Sequence, residues 1–365
     1  MHKILIVGAG KIGCQIAAMM IDSGDYHVTL ADLDFTNEGV VRLCKHLPQI
    51  ETVEIDVVNK EALCSVVRDN DIVAVITCLP YYLNTKVAEA VGECDAHYFD
   101  LTEDVSSTDF VKKIAEGKKV AFIPQCGLAP GFINIVAHDL MQRFDQLDSV
   151  KLYVGALPQY ASNALHYALT WSTDGVINEY GNPCHAIVDG EAIMVLPLEG
   201  LELVQLDGCT YEVFNTSGGL GSLMQTYAGK VNHLHYKSMR YPGHCEKMRF
   251  LMNDLKLNHD RDTLKTILEN ALPQKCQDVV IVYALAIGWR DGVLAQETFA
   301  KKYYPQAIAG LPWLAIQVTT SAGVCALVDT VLTQAGKYQG WIRQEQFSLQ
   351  DFLDNRFGRY FLSLE

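Results

Sequence analysis

The residues best suited to chemistry in this chain are three glycines and one aspartate near the N-terminus. Gly8, Gly10 and Gly13 directly follow an apolar run at 4–7 and precede a helical pattern. Glycines at this spacing permit a tight turn, a close approach of the backbone to a diphosphate, and close packing of a helix on a strand. A second apolar run ends at Asp32, whose carboxylate could accept hydrogen bonds from both hydroxyls of an adenosine ribose. This order of strand, turn, helix, strand and acid predicts a dinucleotide site.

The same acid favours one nicotinamide dinucleotide over the other. A carboxylate at position 32 would repel the 2′-phosphate of NADP, so the sequence predicts NAD as the cofactor and disfavours NADP. A glycine turn in an α/β protein that binds no nucleotide is the alternative. The other residues predicted to line the cofactor lie in the turn or near strand ends, and they are Lys11, Ile12, Asp56, Cys78, Leu79 and Pro80.

Two further segments follow predicted strands and would lie near the reacting end of a bound cofactor. In the first, Asp100 could position a substrate ammonium group or take a proton from it, with Tyr98 beside it, and helix capping is the alternative. The second segment, residues 124–131, is rich in glycine and proline and contains Cys126. It either lines the reaction centre or forms an interdomain hinge, and no histidine is paired in sequence with Cys126 to support it as a nucleophile.

Later segments have the residue types of an amino-acid pocket. Trp171 and Ser172 would form a wall that is apolar on one side and polar on the other, with a core tryptophan beside a capping residue as the alternative. Arg240 offers a planar pair of donors that matches a carboxylate, and the Pro-Gly turn after it would keep that geometry rigid. His244 adds a group that titrates near neutral pH.

Strand and helix patterns alternate through the first third of the chain, which is typical of a doubly wound sheet. We predict an α/β fold, with a Rossmann doubly wound parallel sheet and a second α+β domain built on a mostly antiparallel sheet. The predicted domains are 1–125 for the dinucleotide, 126–314 for the substrate and 315–365 for C-terminal helices that return to the first domain. Strands of the second domain are predicted at 150–155, 184–188, 193–195, 202–205 and 210–214.

Composition narrows the class of protein. The 365 residues carry a formal net charge of −14, which disfavours nucleic acid and anionic membranes as partners. No apolar run is expected to approach the roughly 20 residues of a membrane helix. The first strand begins at once, which leaves no room for a targeting peptide, and the eleven scattered cysteines favour a reducing compartment over a disulfide framework or a zinc site. We expect a cytoplasmic protein with a small-molecule substrate and no metal centre.

In combination, these motifs resemble those of the saccharopine dehydrogenase family, in the branch that includes lysine 6-dehydrogenase. The resemblance spans nearly the whole chain, and the order and spacing of its segments are specific in combination. Where saccharopine is the substrate, the family loop often reads Gly-Leu-Asp-Pro-Gly, and Ala129 stands in place of that acid here. The segments that carry the resemblance are 8–13, 98–100, 127–131, 170–172, 179–180 and 240–244.

The resemblance implies an oxidoreductase that acts on the C–N bond of lysine or of a lysine derivative, and it implies a homodimer. Arg240 would hold the α-carboxylate of an amino-acid substrate, and Asp100 or His244 would take the proton from the amine through a water. Oxidative deamination of lysine is the favoured reaction, and a glutamate-forming saccharopine dehydrogenase is the alternative. A carboxynorspermidine-type synthase and a non-catalytic NADH-binding sensor are the remaining alternatives.

Overall fold

A computed structural model describes residues 1–273 and 277–362 of the chain. Its internal contacts divide the chain into two compact units, each with its own sheet. Unit 1 comprises Met1–Phe132, Gln306–Trp313 and Gln317–Glu365, and unit 2 comprises Ile133–Pro305 and Leu314–Ile316.

The elements are numbered in chain order. The strands are β1 His2–Val7, β2 Tyr26–Asp32, β3 Glu51–Glu54, β4 Ala74–Thr77, β5 His97–Asp100, β6 Ala121–Ile123, β7 Gln146–Pro158, β8 Cys184–Val188, β9 Glu191–Val195, β10 Glu202–Leu206, β11 Cys209–Asn215, β12 Val231–Arg240, β13 Asp278–Arg290, β14 Val293–Tyr303, β15 Gln306–Ile308, β16 Leu311–Trp313 and β17 Gly340–Trp341. The α-helices are α1 Lys11–Asp22, α2 Glu38–His46, α3 Lys60–Asp69, α4 Tyr81–Val91, α5 Val105–Ala115, α6 Phe132–Met141, α7 Thr173–Gly181, α8 Leu223–Tyr227, α9 His244–Arg249, α10 Arg261–Ala271, α11 Ala315–Thr333 and α12 Leu349–Asp354. Single turns of other helix types cover Phe250–Asp254, Leu257–His259, Gln344–Gln346 and Gly358–Phe361.

Unit 1 is built on a parallel sheet whose strand order is β17-β6-β5-β4-β1-β2-β3. The apolar run from Ile4 to Val7 forms the centre of β1 and is fully buried. The chain moves outward from β1 through β2 to β3 and then returns to β4 on the other side, so the strand order reverses between β1 and β4. In folds of this class the ligand binds at the carboxyl ends of the strands beside such a reversal. The Rossmann sheet predicted from the sequence is confirmed.

Unit 2 is built on a mixed sheet with the order β10-β11-β12-β7-β13-β14, and β8 pairs with both β12 and β9. The β12–β7 pair is parallel and the other pairs are antiparallel, which confirms the mostly antiparallel second domain. Helices α7, α9 and α10 contribute to one apolar core of this unit. That core contains Tyr167, Leu169, Val176, Ile177, Tyr180, Phe214, Met248, Leu264 and Leu268.

The C-terminal segment completes unit 1. Strand β17 pairs with β6 at the edge of the parallel sheet, and the Phe361 ring stacks on Phe132 with 3.8 Å between centroids. Helix α11 is long and apolar enough to cross a membrane by length and composition, contrary to the expectation that no run approaches that length. In the structure 94% of its most apolar 18-residue window is buried, as in the core helix of a folded domain.

Candidate functional site

The three glycines of the first turn have different surroundings, and the difference fits a dinucleotide. Gly8 has φ +105°, and a Cβ there would lie 3.1 Å from the carbonyl carbon of Cys78. A Cβ on Gly13 would lie 1.8 Å from the carbonyl oxygen of Gly8, so no larger residue fits there. At Gly10 no atom lies within 4 Å of the Cβ position. Gly8 and Gly13 are therefore packed against the backbone of unit 1. Gly10 has open space beside it, at the place where a diphosphate would approach the N-terminus of α1.

Asp32 lies at the carboxyl end of β2, beside this turn. Its Oδ2 accepts a hydrogen bond from the Ala9 backbone N–H at 2.5 Å, and its Oδ1 accepts from the Leu33 N–H at 2.7 Å. These two bonds fix the carboxylate while leaving acceptor capacity on both oxygens, because each carboxylate oxygen can accept two hydrogen bonds. The arrangement fits an acid that receives the hydroxyls of an adenosine ribose.

The other residues predicted to line the cofactor follow nearby strand ends. The Cys78 N–H donates to the carbonyl oxygen of Val7 at 2.7 Å, and Cδ2 of Leu79 would lie 3.3 Å from a Cβ on Gly8. Pro80 is the exposed residue before α4, and Lys11 and Ile12 begin α1. Asp56 accepts from the Val58 N–H at 2.9 Å in the turn after β3, and its neighbour Ile55 donates to the Asp32 carbonyl at 2.8 Å. The structure thus brings the turn, Asp32, Cys78 and Leu79 to one edge of the parallel sheet.

Asp100, the last residue of β5, is fully buried and uses both carboxylate oxygens within unit 1. Oδ1 accepts from the backbone N–H groups of Thr102 at 2.9 Å and Gln125 at 3.0 Å, and Oδ2 accepts from the Tyr98 hydroxyl at 2.8 Å. Burial raises the pKa of the Asp100 carboxyl to about 6, against the lowering effect of these three hydrogen bonds. In this geometry Asp100 stabilises the turn after β6 through its hydrogen bond with Gln125. The geometry does not support the predicted role of Asp100 as a base or an ammonium ligand.

Tyr98 and Cys126 are enclosed together with Asp100. The Tyr98 hydroxyl also lies 3.4 Å from the carbonyl oxygen of Asn84, and the Cys126 thiol donates to the carbonyl of Ile123 at 2.8 Å. Burial, with the charge of Asp100, raises the pKa of the Cys126 thiol well above its usual value. Both side chains are fully buried, so the structure supports neither substrate contact by Tyr98 nor nucleophilic chemistry at Cys126.

A glutamine that the sequence analysis missed holds the same turn. Gln344 is buried, and its Nε2 donates to the carbonyl oxygens of Pro124 and Gln125 at 2.6 and 2.9 Å. Gln125 has φ +62°, a conformation that costs a non-glycine residue roughly 1–2 kcal/mol. Asp100 on the amide side and Gln344 on the carbonyl side stabilise that conformation. No sequence signal indicates Gln344, because it lies 219 positions from the turn it supports.

Arg240 ends β12 in unit 2 and is 3% exposed. Its Nε donates to the Tyr180 hydroxyl at 2.8 Å and its Nη1 donates to the Met239 carbonyl at 2.8 Å, while its guanidinium carbon lies 5.1 Å from the Tyr167 ring centroid. Among the described residues no carboxylate lies within 4.0 Å of the guanidinium and no hydrogen bond engages Nη2, while the Tyr167 hydroxyl also interacts with the guanidinium. The Glu179 carboxylate acts on it electrostatically from beyond that distance. A buried guanidinium with unused donors can bind a planar anion.

His244 lies next to Arg240 but has no free nitrogen. Its Nδ1 is 2.8 Å from the Leu165 carbonyl oxygen, and its Nε2 is 3.1 Å from the Tyr180 hydroxyl. Burial, with the positive charge of Arg240, lowers the pKa of the imidazole to about 3. His244 lies near Arg240, but the structure does not support the predicted role of His244 as a base, because both ring nitrogens already have hydrogen-bond partners within the protein.

Trp171 and Ser172 are adjacent in unit 2 but have different structural roles. Trp171 Nε1 donates to the Tyr167 hydroxyl at 3.0 Å, which links Trp171 to the ring beneath Arg240. Ser172 Oγ accepts from the Gly175 N–H at 3.1 Å and caps α7, which is the alternative role considered for this segment. Tyr167 was missed by the sequence analysis, since a tyrosine between two alanine-containing segments carries no recognisable pattern.

Two other arginines of unit 2, Arg249 and Arg290, lie in ion pairs on the surface. Arg249 pairs with Glu199 at 3.3 Å, and Arg290 pairs with Glu297 at 2.8 Å. Both arginine side chains are more than 40% exposed. Arg240 therefore differs from them in being buried and in having no carboxylate partner in the part of the chain that the structure describes.

Two family models match the chain. One, described as the saccharopine dehydrogenase NADP binding domain, matches residues 4–121, and the other, described as the saccharopine dehydrogenase C-terminal domain, matches residues 127–349. The first of these makes the N-terminal part a pyridine-nucleotide-binding domain, and the second alone covers more than half of the chain.

Individual relatives agree with these models. The mitochondrial alpha-aminoadipic semialdehyde synthase of Rattus norvegicus is 26% identical over 200 residues, which are 53% of this chain and 21% of that protein, so the chain spans about a fifth of its length. The NADP(+), L-glutamate-forming saccharopine dehydrogenase of Pyricularia oryzae is 21% identical over 328 residues, which are 86% of this chain and 71% of that protein.

A solved structure shows the same fold. The apo saccharopine dehydrogenase (L-Glu forming) of Saccharomyces cerevisiae superimposes with a TM-score of 0.76 at 18% identity and covers 98% of each chain. At that identity the likeness concerns the fold alone. On the two family matches, the chain belongs to the saccharopine dehydrogenase family.

Proposed function

We propose that this protein is a pyridine-nucleotide-dependent oxidoreductase that acts on the C–N bond of lysine or of a lysine derivative, with oxidative deamination of the lysine ε-amino group as the favoured reaction. The observation that carries the proposal is the buried Arg240 guanidinium, which has unused donors and no ion-pair partner among the described residues. In a family that oxidises C–N bonds of amino acids, such a group suits the α-carboxylate of the substrate.

The residues of the first turn would hold the cofactor. Gly8, Gly10 and Gly13 shape the turn and the N-terminus of α1 offers N–H groups to the diphosphate, while Asp32 receives the ribose. When bound, the nicotinamide ring supplies the hydride acceptor. The protein's own part is to hold the substrate in a fixed orientation, with Arg240 on its carboxylate.

We propose NAD as the cofactor, although the matching family model and the fungal relatives are named for NADP. Three acids lie at 32–38, namely Asp32, Asp34 and Glu38, and the segment contains no lysine or arginine. Asp34 is held in place by Thr36, which lowers the pKa of its carboxyl through two hydrogen bonds. A 2′-phosphate next to Asp32 would meet negative charge without a cation from this segment to offset it.

The partners of four cationic side chains in unit 2 support a substrate with a single carboxylate near Arg240. Arg240 is buried and has no ion pair in the described part of the chain, whereas Arg249 and Arg290 are exposed and already paired with glutamates. Lys237, the other buried cation of the β12 strand, donates to Glu202 and to the Gly200 carbonyl. Lysine needs one such cation for its single carboxylate, and saccharopine carries two further carboxylates. Of these four cations, Arg240 alone lacks a carboxylate partner among the described residues, which favours lysine.

We propose that solvent water removes the proton from the substrate amine. A hydride leaves the carbon only when the nitrogen is neutral, so the amine must lose its proton first. Asp100, His244 and Cys126 are all buried with their polar atoms engaged inside the protein. We therefore expect the rate to rise with pH toward the pKa of a lysine amine, which is about 10.4 in model peptides.

Saccharopine remains the second candidate substrate, since relatives that align with 86% and 52% of this chain are named saccharopine dehydrogenases. The experiment is a four-way assay of nicotinamide reduction with NAD⁺ or NADP⁺ and with L-lysine or saccharopine, run from pH 7 to pH 10.5. Turnover of lysine with NAD⁺ supports the proposal, and turnover of saccharopine alone moves it to the second candidate. If neither is turned over while NADH binds tightly, the proposal is wrong.

A further inference from the structure

A chain of hydrogen bonds runs in one direction from the Arg240 guanidinium through Tyr180 and His244 to the Leu165 carbonyl. We infer that His244 is a positioning residue, whose neutral imidazole holds the Tyr180 hydroxyl and, through it, the plane of the Arg240 guanidinium for the substrate carboxylate. The inference rests on the proposed function for its substrate, but the state of the imidazole is independent of any substrate.

The proton positions follow from what each partner can do. The Leu165 carbonyl oxygen, 2.8 Å from His244 Nδ1, can only accept, so Nδ1 carries a proton. The Arg240 Nε–H donates to the Tyr180 oxygen at 2.8 Å, because a guanidinium has no acceptor. Tyr180 then has one proton left to donate, and it goes to His244 Nε2 at 3.1 Å. A second proton on the imidazole would reverse this last bond and leave the Tyr180 oxygen between two donors.

The surroundings of His244 keep it in that neutral form. The ring is 1% exposed and is packed against Tyr167 and Phe214, with centroid distances of 5.1 and 6.3 Å. The charged and titratable groups that act on it are Arg240, Lys247 and His166, and all three oppose its protonation. The same imidazole therefore serves only as an acceptor for Tyr180 across the pH range in which the enzyme would work.

The consequence for Arg240 is a fixed orientation. Nε is tied to Tyr180, Nη1 is tied to the Met239 carbonyl, and the guanidinium carbon lies 5.1 Å and 5.7 Å from the centroids of the Tyr167 and Tyr180 rings. These contacts engage Nε and Nη1, and they leave Nη2 without a hydrogen bond among the described residues. A carboxylate bound there would find its geometry already set, which raises affinity because little rotamer entropy is lost on binding.

The test compares three variants with a matched control. Tyr180→Phe and His244→Leu break the chain, and His244→Gln keeps an acceptor for the tyrosine. Tyr227→Phe is the control, because Tyr227 bonds to a different histidine of the same unit, His138, at 2.6 Å. We expect Tyr180→Phe and His244→Leu to raise KM for the amino acid roughly 10- to 100-fold while kcat changes less than about threefold. His244→Gln should recover most of the loss, and the control should match the wild type.

A general base would behave differently. Its loss lowers kcat by roughly 10²- to 10⁴-fold and removes a limb of the pH profile. If His244→Gln lowers kcat at least 100-fold at unchanged KM, or changes the pH at which activity falls, the inference is wrong. Equal effects of Tyr180→Phe and Tyr227→Phe would also contradict it.

A second measurement needs no turnover. Long-range proton–nitrogen NMR of the whole protein, with His244→Gln used to assign the signal, should show the Nδ1–H tautomer of His244 unchanged from pH 5 to pH 9. The Arg240 Nε–H should exchange slowly in the wild type and rapidly in Tyr180→Phe. These results would stand even if neither lysine nor saccharopine were a substrate, so failure of the inference and failure of the proposed function are distinguishable. An imidazole that titrates between pH 5 and pH 8 would overturn the inference.

Discussion

Asp100 in unit 1 and Arg240 in unit 2 are both buried ionisable side chains at the last residue of a strand, yet they use their hydrogen-bonding capacity in different ways. Both oxygens of Asp100 accept hydrogen bonds, from two backbone N–H groups and one hydroxyl. Arg240 donates to one hydroxyl and one carbonyl, and its Nη2 has no partner among the residues that the structure describes.

The comparison shows how a structural group can be told from a binding group when both are buried. Burial of a charge is costly unless hydrogen bonds or an opposite charge offset it. At Asp100 the protein supplies that compensation and thereby fixes a turn. At Arg240 the compensation is incomplete, and a ligand carboxylate would complete it. The sequence alone presented both residues as equal candidates for chemistry.

The largest effect should come from Arg240→Leu. Removal of the guanidinium should lower kcat/KM for the amino acid by roughly 10³-fold, because a buried anion would lose its charged partner. The melting temperature should change little, since the variant also removes a buried cation that has no ion pair with any residue the structure describes. Steady-state kinetics and thermal unfolding check both. Arg290→Leu, on an exposed and paired arginine, is the control, and an equal loss of activity there would contradict the comparison.

The next prediction concerns Asp32, an acid whose oxygens can still accept hydrogen bonds from a ligand. Replacement by serine should shift the preference from NAD toward NADP by roughly 10- to 100-fold, because the repulsion of a 2′-phosphate is relieved while a hydroxyl can still bond to the ribose. The ratio of kcat/KM for the two cofactors measures this. Asp34→Ser, two positions away and bonded to Thr36, is the matched control. An unchanged ratio in Asp32→Ser would show that position 32 does not select the cofactor.

Asp100→Asn should act on stability rather than on catalysis. Because the folded-state pKa of Asp100 is about 6, above its unfolded value, the folded protein binds the extra proton more readily. Stability from this group is present below about pH 4 and is lost as pH rises through about 6, a change of up to about 3 kcal/mol. Denaturation from pH 4 to pH 7 should show that loss in the wild type relative to Asp100→Asn.

The same variant distinguishes a structural role of Asp100 from a role as general base. An asparagine can still accept from Thr102 and Gln125, so kcat should fall less than about tenfold. Loss of a general base would lower kcat by roughly 10²- to 10⁴-fold. Two results would contradict the structural role of Asp100: a fall in kcat of roughly 100-fold or more in Asp100→Asn, or a difference in stability between wild type and variant that does not vary with pH.

The smallest effect is expected at Cys126. Cys126→Ala should change kcat by less than about threefold, because the thiol is fully buried and bonded to a carbonyl of its own turn. A thiol reagent should label the exposed Cys209 in the native protein and leave Cys126 unmodified, which mass spectrometry of the labelled peptides measures. Labelling of Cys126 at a similar rate would show that the turn opens and that the thiol is accessible.

Local pattern explains why unit 1 was predictable and where unit 2 was not. The apolar run at 4–7, the glycine turn and Asp32 are adjacent in sequence, so spacing alone indicates their arrangement. The long strand β12, which carries Arg240, was not predicted, because polar residues interrupt its apolar pattern: two half-buried histidines, and a lysine that is buried only in the folded sheet.

The site residues follow the same rule. Arg240 was identified from its neighbouring turn, but its contacts with Tyr180 and Tyr167 connect positions 60 or more residues apart. His244 and Asp100 were assigned chemistry because their side chains can do it, and only the structure shows that their atoms are already engaged. Sequence reports residue type, whereas accessibility depends on tertiary packing.

The pairing of β17 with β6 has a consequence for how the protein is made. The parallel sheet gains its last strand from Gly340–Trp341, so it cannot be complete until residue 341 has left the ribosome. Until then the edge of β6 is unpaired and the apolar surfaces that later meet α11 are uncovered, a condition in which nascent chains associate with one another. A fragment that ends near Phe132 would remain in that condition permanently. Expression of the nucleotide-binding unit on its own therefore requires the C-terminal segment to be joined back to it.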